Sequence, residues 1–417
     1  MGTQEAVAVG SVTVRANRTK TPEDERWLNR GVGAIGSASL LSDLGHEVPT
    51  ALLPSLLTST LGAPAAALGL IEGIADGLAG AAKLAGGALA DDPERRRATA
   101  VGGYTATAIL SSAIGLATAA WQVGVFRSGA WIARGIRGPS RNALLADVVA
   151  PSAYGRAYGF ERAMDNLGAI GGPLLALALV AAVGVRTAIL LSIVPGLLAA
   201  AAIVVGIRAA PRAARRTHSP LRLQVRPVLH GRLGRLFLGV AAFEVGNVAA
   251  TLLLLRATEL LEPGRGHDSA VQAAILLYAG YNVAATLSSL PGGHWIDRGG
   301  PVLVLAAGFG CFAVAYAGFA LVGGTLVWLA LLFALAGVGI GFVETAENTA
   351  VAALAPEAVR GSAFGLLAGM QSFGNLAASG IAGLLWTVVS PEAAFGYLAA
   401  WMVVAVVAVV LARTRND

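Results

Sequence analysis

Gly87-Ala-Leu-Ala-Asp91-Asp-Pro-Glu-Arg-Arg96 and Gly293-His-Trp-Ile-Asp297-Arg298-Gly-Gly300 decide how this chain folds, because they are two versions of one segment. Their aspartates stand 206 residues apart. A second pair repeats at nearly the same offset: Ala150-Pro-Ser-Ala-Tyr-Gly-Arg-Ala-Tyr-Gly159 and Ala355-Pro-Glu-Ala-Val-Arg-Gly-Ser-Ala-Phe-Gly365, with starts 205 and ends 206 residues apart. Two segments at one offset indicate a duplicated unit of about half the chain, with both copies in the same orientation.

Composition says what that unit is. Of 417 residues 56% are hydrophobic and only 13% charged, with a mean hydropathy of +0.69. A soluble domain carries about 25% charged residues, so water is not the solvent for most of this surface. About 20 apolar residues cross a bilayer as a helix, and twelve such windows are present, from 31–59 to 391–412. The predicted fold is an all-α membrane protein of twelve transmembrane helices in two pseudo-symmetric six-helix bundles, 31–207 and 234–412. A cytoplasmic tail (1–30), a basic linker (208–233) and a second tail (413–417) complete the chain. Within this scheme the seventh and eighth spans are expected at 234–257 and 269–292, with a loop at 258–268. The 54 glycines suit close helix packing, because lipid gives helices no hydrophobic reason to associate.

Charge sets the orientation. Eight arginines and no acid lie between Arg208 and Arg235, and cytoplasmic loops collect such residues. Arg95 to Arg97, Arg156, Arg298, Arg360, Arg413 and Arg415 fall on the same side. Both termini are therefore expected in the cytoplasm of a bacterial inner membrane, and a basic run between two spans is not read as a nucleic-acid patch. The lone Cys311 excludes a disulfide frame. The absence of a G-x-x-x-x-G-K-[ST] loop excludes ATP-driven transport by this chain. No enzyme motif and no cofactor site is present.

The first repeated segment resembles the G-x-x-x-D-R-x-G-R-R signature of the major facilitator superfamily, through Gly87, Asp91, Arg95 and Arg96. Asp92 stands in place of its first basic residue, and Pro93-Glu94 in place of its small ones. The second copy keeps Gly293, Asp297, Arg298 and Gly300. The resemblance implies a gate in which each aspartate sits at a helix N-terminus and pairs with arginine across the halves. Gly168-Ala-Ile-Gly-Gly172-Pro173 is similar to the G-x-x-x-G-P core of the motif of proton-coupled antiporters, although Leu175 and Ala176 replace its later glycines. Physically, glycines four apart admit close helix contact.

Ionisable residues inside a bilayer cost about 2.5–3.5 kcal/mol each on insertion scales and usually mark function. Asp43, His46 and Glu47 share one face of the first span at i, i+3 and i+4. Glu72 and Asp76 follow in the second span, Arg127 and Arg134 in the fourth, and Asp165 in the fifth. The second half offers Glu244, Asn247, Tyr281, Asn282, Gln371 and Asn375, and Glu347 at the end of the tenth span either reaches the interface or faces inward. Coupling is thus expected mainly in the first half, and substrate shape in the second. The leading expectation is proton-coupled efflux of a small molecule by a monomer in lipid, with H+ as coupling ion. Two alternatives remain: a divalent-metal exporter using Asp43, His46, Glu47 and Asp76, and an organic-anion transporter clamping its cargo with Arg127 and Arg134.

Overall fold

A computed structural model describes residues 27–210 and 222–414. The N-terminal tail up to residue 26, the linker arginines 212, 215 and 216, and the last three residues lie outside the described residues.

The helices form twelve antiparallel rods. Spans 1 to 6 are Arg30–Ser55 (continued by a π turn, Leu56–Thr60), Ala65–Ala90, Pro93–Ala113, Ala120–Val148, Tyr154–Val183 and the pair Val185–Leu191 and Ile193–Ala209. Spans 7 to 12 are the pair Gly231–Gly246 and Ala250–Arg265, then His267–Gly299, Pro301–Leu321, Leu326–Leu354, Arg360–Val388 and Pro391–Thr414. Among the described residues, eight of these rods are long and apolar enough to cross a membrane. The other four, spans 1, 2, 4 and 11, are as long but more polar, and several of their polar side chains, Asp76, Arg134 and Gln371 among them, face the space between the halves.

Local chemistry explains the boundaries. The departure from the family signature at Asp92 is a helix cap: its carboxylate accepts from the Glu94 and Arg95 amides at 2.9 and 3.2 Å. Pro93 follows at the first helical position, where a missing amide costs nothing. Spans 8 and 9 meet at the single residue Gly300, whose φ of 79° is open to glycine and strained for most other residues.

Span 7 differs from its expected form. The apolar window 234–257 predicted one uninterrupted helix, but the chain unwinds at Asn247, where φ is −88° and ψ 95°. It then re-forms a helix to Arg265, which takes up most of the expected 258–268 loop. The freed backbone is satisfied from span 11: Asn375 donates to the Asn247 carbonyl at 2.9 Å, and the Ala249 amide donates to Ser379 Oγ at 2.9 Å. Broken backbone survives at membrane depth only where protein or a cavity receives it.

The halves meet through spans 2 and 11 and through spans 5 and 8, two pairings related by the sequence repeat. Inside the C-terminal half the core is aromatic: Phe243 stacks on Phe309 at 4.6 Å, and Phe312, Phe319, Phe333 and Phe395 continue the cluster. The N-terminal half fills much of the same space with charge.

Candidate transport cavity and gate

The two repeated aspartates hold the arginine-rich end shut. Asp297 accepts from the Gly155 amide at 2.7 Å, the Arg156 amide at 3.2 Å and Arg156 Nε at 2.7 Å. Asp91 accepts from the Ser362 amide at 2.8 Å and from Ser362 Oγ at 2.5 Å. Residues 156 and 362 are themselves 206 apart, so the clasp obeys the duplication. Each carboxylate answers the unpaired amides and positive dipole at a helix N-terminus of the opposite half. The helices approach so closely that a Cβ on Gly87 would come within 2.7 Å of the Gly365 Cα.

The expected arginine partner is present in only one clasp. In the other, serine occupies the equivalent place and Arg96 turns back, donating to the Ala90 carbonyl at 2.7 Å and to Asp147 at 2.5 Å. Asp147 also stands 3.7 Å from Arg360 of the other half, a cross-half link that nothing in its sequence surroundings signals. Arg95 is partly exposed, 3.9 Å from Asp92. Arg298 is exposed at the end of span 8 and takes no part in the clasp.

Behind this gate the N-terminal half builds a charge-balanced wall. The Asp43, His46 and Glu47 side chains do gather: His46 Nδ1 lies 3.4 Å from Asp43, and Nε2 lies 3.2 Å from Glu47. Arg134 closes on His46 Nε2 and sits 3.4 Å from Asp43. Arg127 is sealed between Glu72 at 3.0 Å, Thr50 Oγ at 2.9 Å and the Trp131 ring, 3.4 Å from the guanidinium. Trp131 in turn donates to Asp76 at 2.7 Å. Arg141 meets Glu161 at 2.8 Å and Asp165 at 3.3 Å, while Arg162 meets the same two acids at 2.8 and 3.3 Å. Arg137 donates to Ser42 at 2.7 Å and stacks 3.8 Å from the Tyr104 ring. With Lys83, the six basic groups face six acids: Asp43, Glu47, Glu72, Asp76, Glu161 and Asp165. Gly168 and Gly172 press span 5 against this wall. A Cβ at Gly168 would stand 2.8 Å from the Asp43 Cβ, and one at Gly172 would overlap Glu47. Pro173 follows on the exposed side.

The C-terminal wall is acidic. Glu244, Glu344 and Glu347 line it without a basic residue from their own half. Glu344 has Arg162 at 3.7 Å across the interface. Glu244 is held by Asn247 at 3.2 Å and Glu347 by Gln371 at 2.8 Å. Of the two positions open to Glu347, the structure shows the inward one: it is wholly buried, two turns before span 10 ends at Leu354.

Between the walls lies a cavity of about 750 Å³. Asp76, Arg134, Asp165, Glu244, Asn247, Gln371 and Asn375 line it, as do Lys83 and Trp131, which the sequence did not single out as lining residues. Asp43, His46, Glu47, Glu72 and Arg127 stand behind the lining, and Tyr281 and Asn282 lie outside it; Asn282 bonds its own helix at the Tyr278 carbonyl, 3.0 Å away. The metal set Asp43, His46, Glu47 and Asp76 is not assembled: among the described residues no three such side chains could hold an ion. Arg134 occupies the space beside His46, and Asp76 is turned to Trp131. The anion clamp is likewise unformed, since Arg127 is only 1% exposed and does not reach the cavity. Toward the gate, Lys83 donates to Ser372 at 2.6 Å and Asn142 to Asn348 at 2.7 Å, forming a second layer across the halves. Toward the other end a Cβ on Gly73 or Gly77, both of which line the cavity, would meet nothing within 4 Å.

A twelve-rod duplication with a clasp obeying the repeat is a transporter architecture, and the comparisons agree. The Major Facilitator Superfamily model matches residues 35–260 and 260–417. The chain belongs to the major facilitator superfamily. It is 28% identical over 384 residues to an uncharacterised MFS-type transporter of Methanocaldococcus jannaschii, covering 91% of this chain and 94% of the relative. A bacterial homologue of the iron transporter ferroportin, crystallised facing outward, superposes with a TM-score of 0.71 at 18% identity, covering 92% and 99% of the two chains. The fucose:proton symporter of E. coli gives 0.71 at 17% identity over 91% and 98%. At such identities the structures share a fold and nothing finer. This superfamily member is therefore a multi-pass membrane transporter and not an enzyme.

Proposed function

We propose that this chain is a proton-coupled exporter of a small organic molecule, working as a monomer by alternating access across a bacterial inner membrane. In this reading the arginine-rich end is cytoplasmic, both termini are inside, and the described state faces outward. The observation that carries the reading is the cavity itself, clasped at one end and walled by titratable side chains. Asp76, Arg134, Asp165, Glu244, Asn247, Gln371 and Asn375 contact the cargo. The antiporter-like Gly168–Pro173 segment supports export, because it packs directly against Asp43 and Glu47.

Proton coupling requires that protonation shift the balance between inward and outward states. Spin labels at Leu70→Cys and Val388→Cys, in a Cys311→Ser background, report the mouth of the cavity. Their distance distribution should shift between pH 5 and pH 8. A distribution indifferent to pH removes the proton-coupled reading.

A further inference from the structure

The reading above leaves open which side chain carries the proton. Resting on it, we propose that the driving proton is carried by the Glu244–Glu347 pair on the C-terminal wall, and not by the Asp43–His46–Glu47 cluster.

Charge balance is the first argument. The six acids of the N-terminal wall face six bases: Asp43, Glu72, Glu161 and Asp165 each have an arginine within 3.4 Å, Glu47 has His46 at 3.2 Å, and Asp76 accepts from Trp131. Neutralising any of the four arginine-paired acids would leave an arginine without its counter-charge, which is costly. The C-terminal wall has three acids and no base of its own. Among the described residues neither Glu244 nor Glu347 has a basic side chain at ion-pair distance. Adding a proton there relieves repulsion and strands nothing.

The second argument is an unsatisfied atom. Glu347 is fully buried, Gln371 serves one of its oxygens, and the other oxygen, Oε1, has no hydrogen-bond partner. A buried carboxylate with a bare oxygen is among the costliest groups a protein can hold, and the acid form removes most of that cost. Glu244 sits in the last turn before span 7 unwinds, at the negative end of a half-helix, where a second negative charge is unwelcome. Span 11 makes room for it: a Cβ on Gly374 would stand 2.5 Å from the Glu244 Cβ.

The groups facing the pair are few. Asn247 of span 7 and Gln371 of span 11 are neutral, Tyr316 of span 9 lies within electrostatic reach of Glu244, and Glu344 of span 10 adds negative charge to both. Lys83 of span 2 acts on Glu244 from across the cavity. Arg162 of span 5 is committed to Glu161 and Asp165 and reaches only Glu344.

Geometry then couples the proton to the gate. Glu344, Glu347 and Asn348 occupy one turn of span 10, and the flanking two bridge to Arg162 and Asn142 of the other half. A proton that arrives at or leaves Glu347 changes the charge beside both cross-half contacts at once.

The test uses the purified full chain in lipid nanodiscs, with infrared difference spectroscopy and the labelled pair read side by side. Wild type should show a protonated-carboxyl band at pH 7 that Glu347→Gln removes and Asp43→Asn keeps. The pH-driven distance shift should fall at least about fivefold in Glu347→Gln and in Glu244→Gln, whereas Asp43→Asn should lower thermal stability and leave the pH midpoint in place. Monodisperse elution of each variant serves as the folding control. If the band and the distance shift both persist in Glu347→Gln and Glu244→Gln, the assignment is overturned and proton coupling stands. If the wild-type distances ignore pH, proton coupling itself falls, and this assignment with it.

Discussion

The two walls of the cavity bury ionisable groups in opposite ways. On the N-terminal wall bases and acids are equal in number, and the guanidinium groups are threaded between carboxylates, hydroxyls and aromatic rings. On the C-terminal wall three carboxylates stand among amides, above an aromatic core that holds the half together without them. A balanced set of charges is a framework: it ties spans 1, 2, 4 and 5 to one another. An unmatched set is responsive. The contrast suggests that one half of this transporter is the fixed frame, and the other holds the groups whose charge changes.

The comparison can be broken by substitution, beginning where the effect should be largest. Arg141→Ala removes a base shared by Glu161 and Asp165 and should cost about 3–5 kcal/mol, the range for breaking a buried ion pair. Thermal unfolding in detergent would show it, and a shift within error would mean that the wall is not a framework. Asp297→Ala leaves the Gly155 and Arg156 amides unanswered and should cost about 1–3 kcal/mol. The same change should widen the separation of labels placed on spans 5 and 8 at the arginine-rich end. Asp91→Ala should act similarly on spans 2 and 11, and a gate that stays shut in the double variant would show that glycine packing alone closes it. Gly374→Ala crowds Glu244 and should cost about 1–3 kcal/mol by overpacking. Smallest of all, Glu347→Gln should change stability by less than about 1 kcal/mol if Glu347 carries the proton as proposed, since the amide then mimics its acid form. A loss as large as that of Arg141→Ala would make the two walls alike.

Sequence reading reached the duplication, and through it the gate. The 206-residue offset found both aspartates and, in Gly155-Arg156 and Gly361-Ser362, the segments they clasp. It missed the asymmetry of the clasp, because a serine hydroxyl and amide can serve where an arginine was expected. Helical periodicity placed Asp43, His46 and Glu47 on one face, and they do meet. Periodicity within one helix says nothing about a neighbour, but depth along the spans put Arg134 level with this face and counted against a metal there, and Arg134 is the residue that disperses the metal set. The depth of Glu347 stayed open because a hydropathy window does not say which way a side chain near a helix end turns. The break in span 7 was hidden for another reason. Gly246-Asn247 is a weak helix breaker in an apolar run, and only the reception of its freed backbone by Asn375 and Ser379 makes unwinding affordable.

That unwound stretch gives the seventh span two pieces and one coupling between them. Both bonds that hold residues 247–249 come from side chains of the same helix, one turn apart on span 11. Span 11 thus works as a clutch. Engaged, it ties the two pieces of span 7 together; a rotation of span 11 about its own axis would release both bonds at once and uncouple Ala250–Arg265 from Gly231–Gly246.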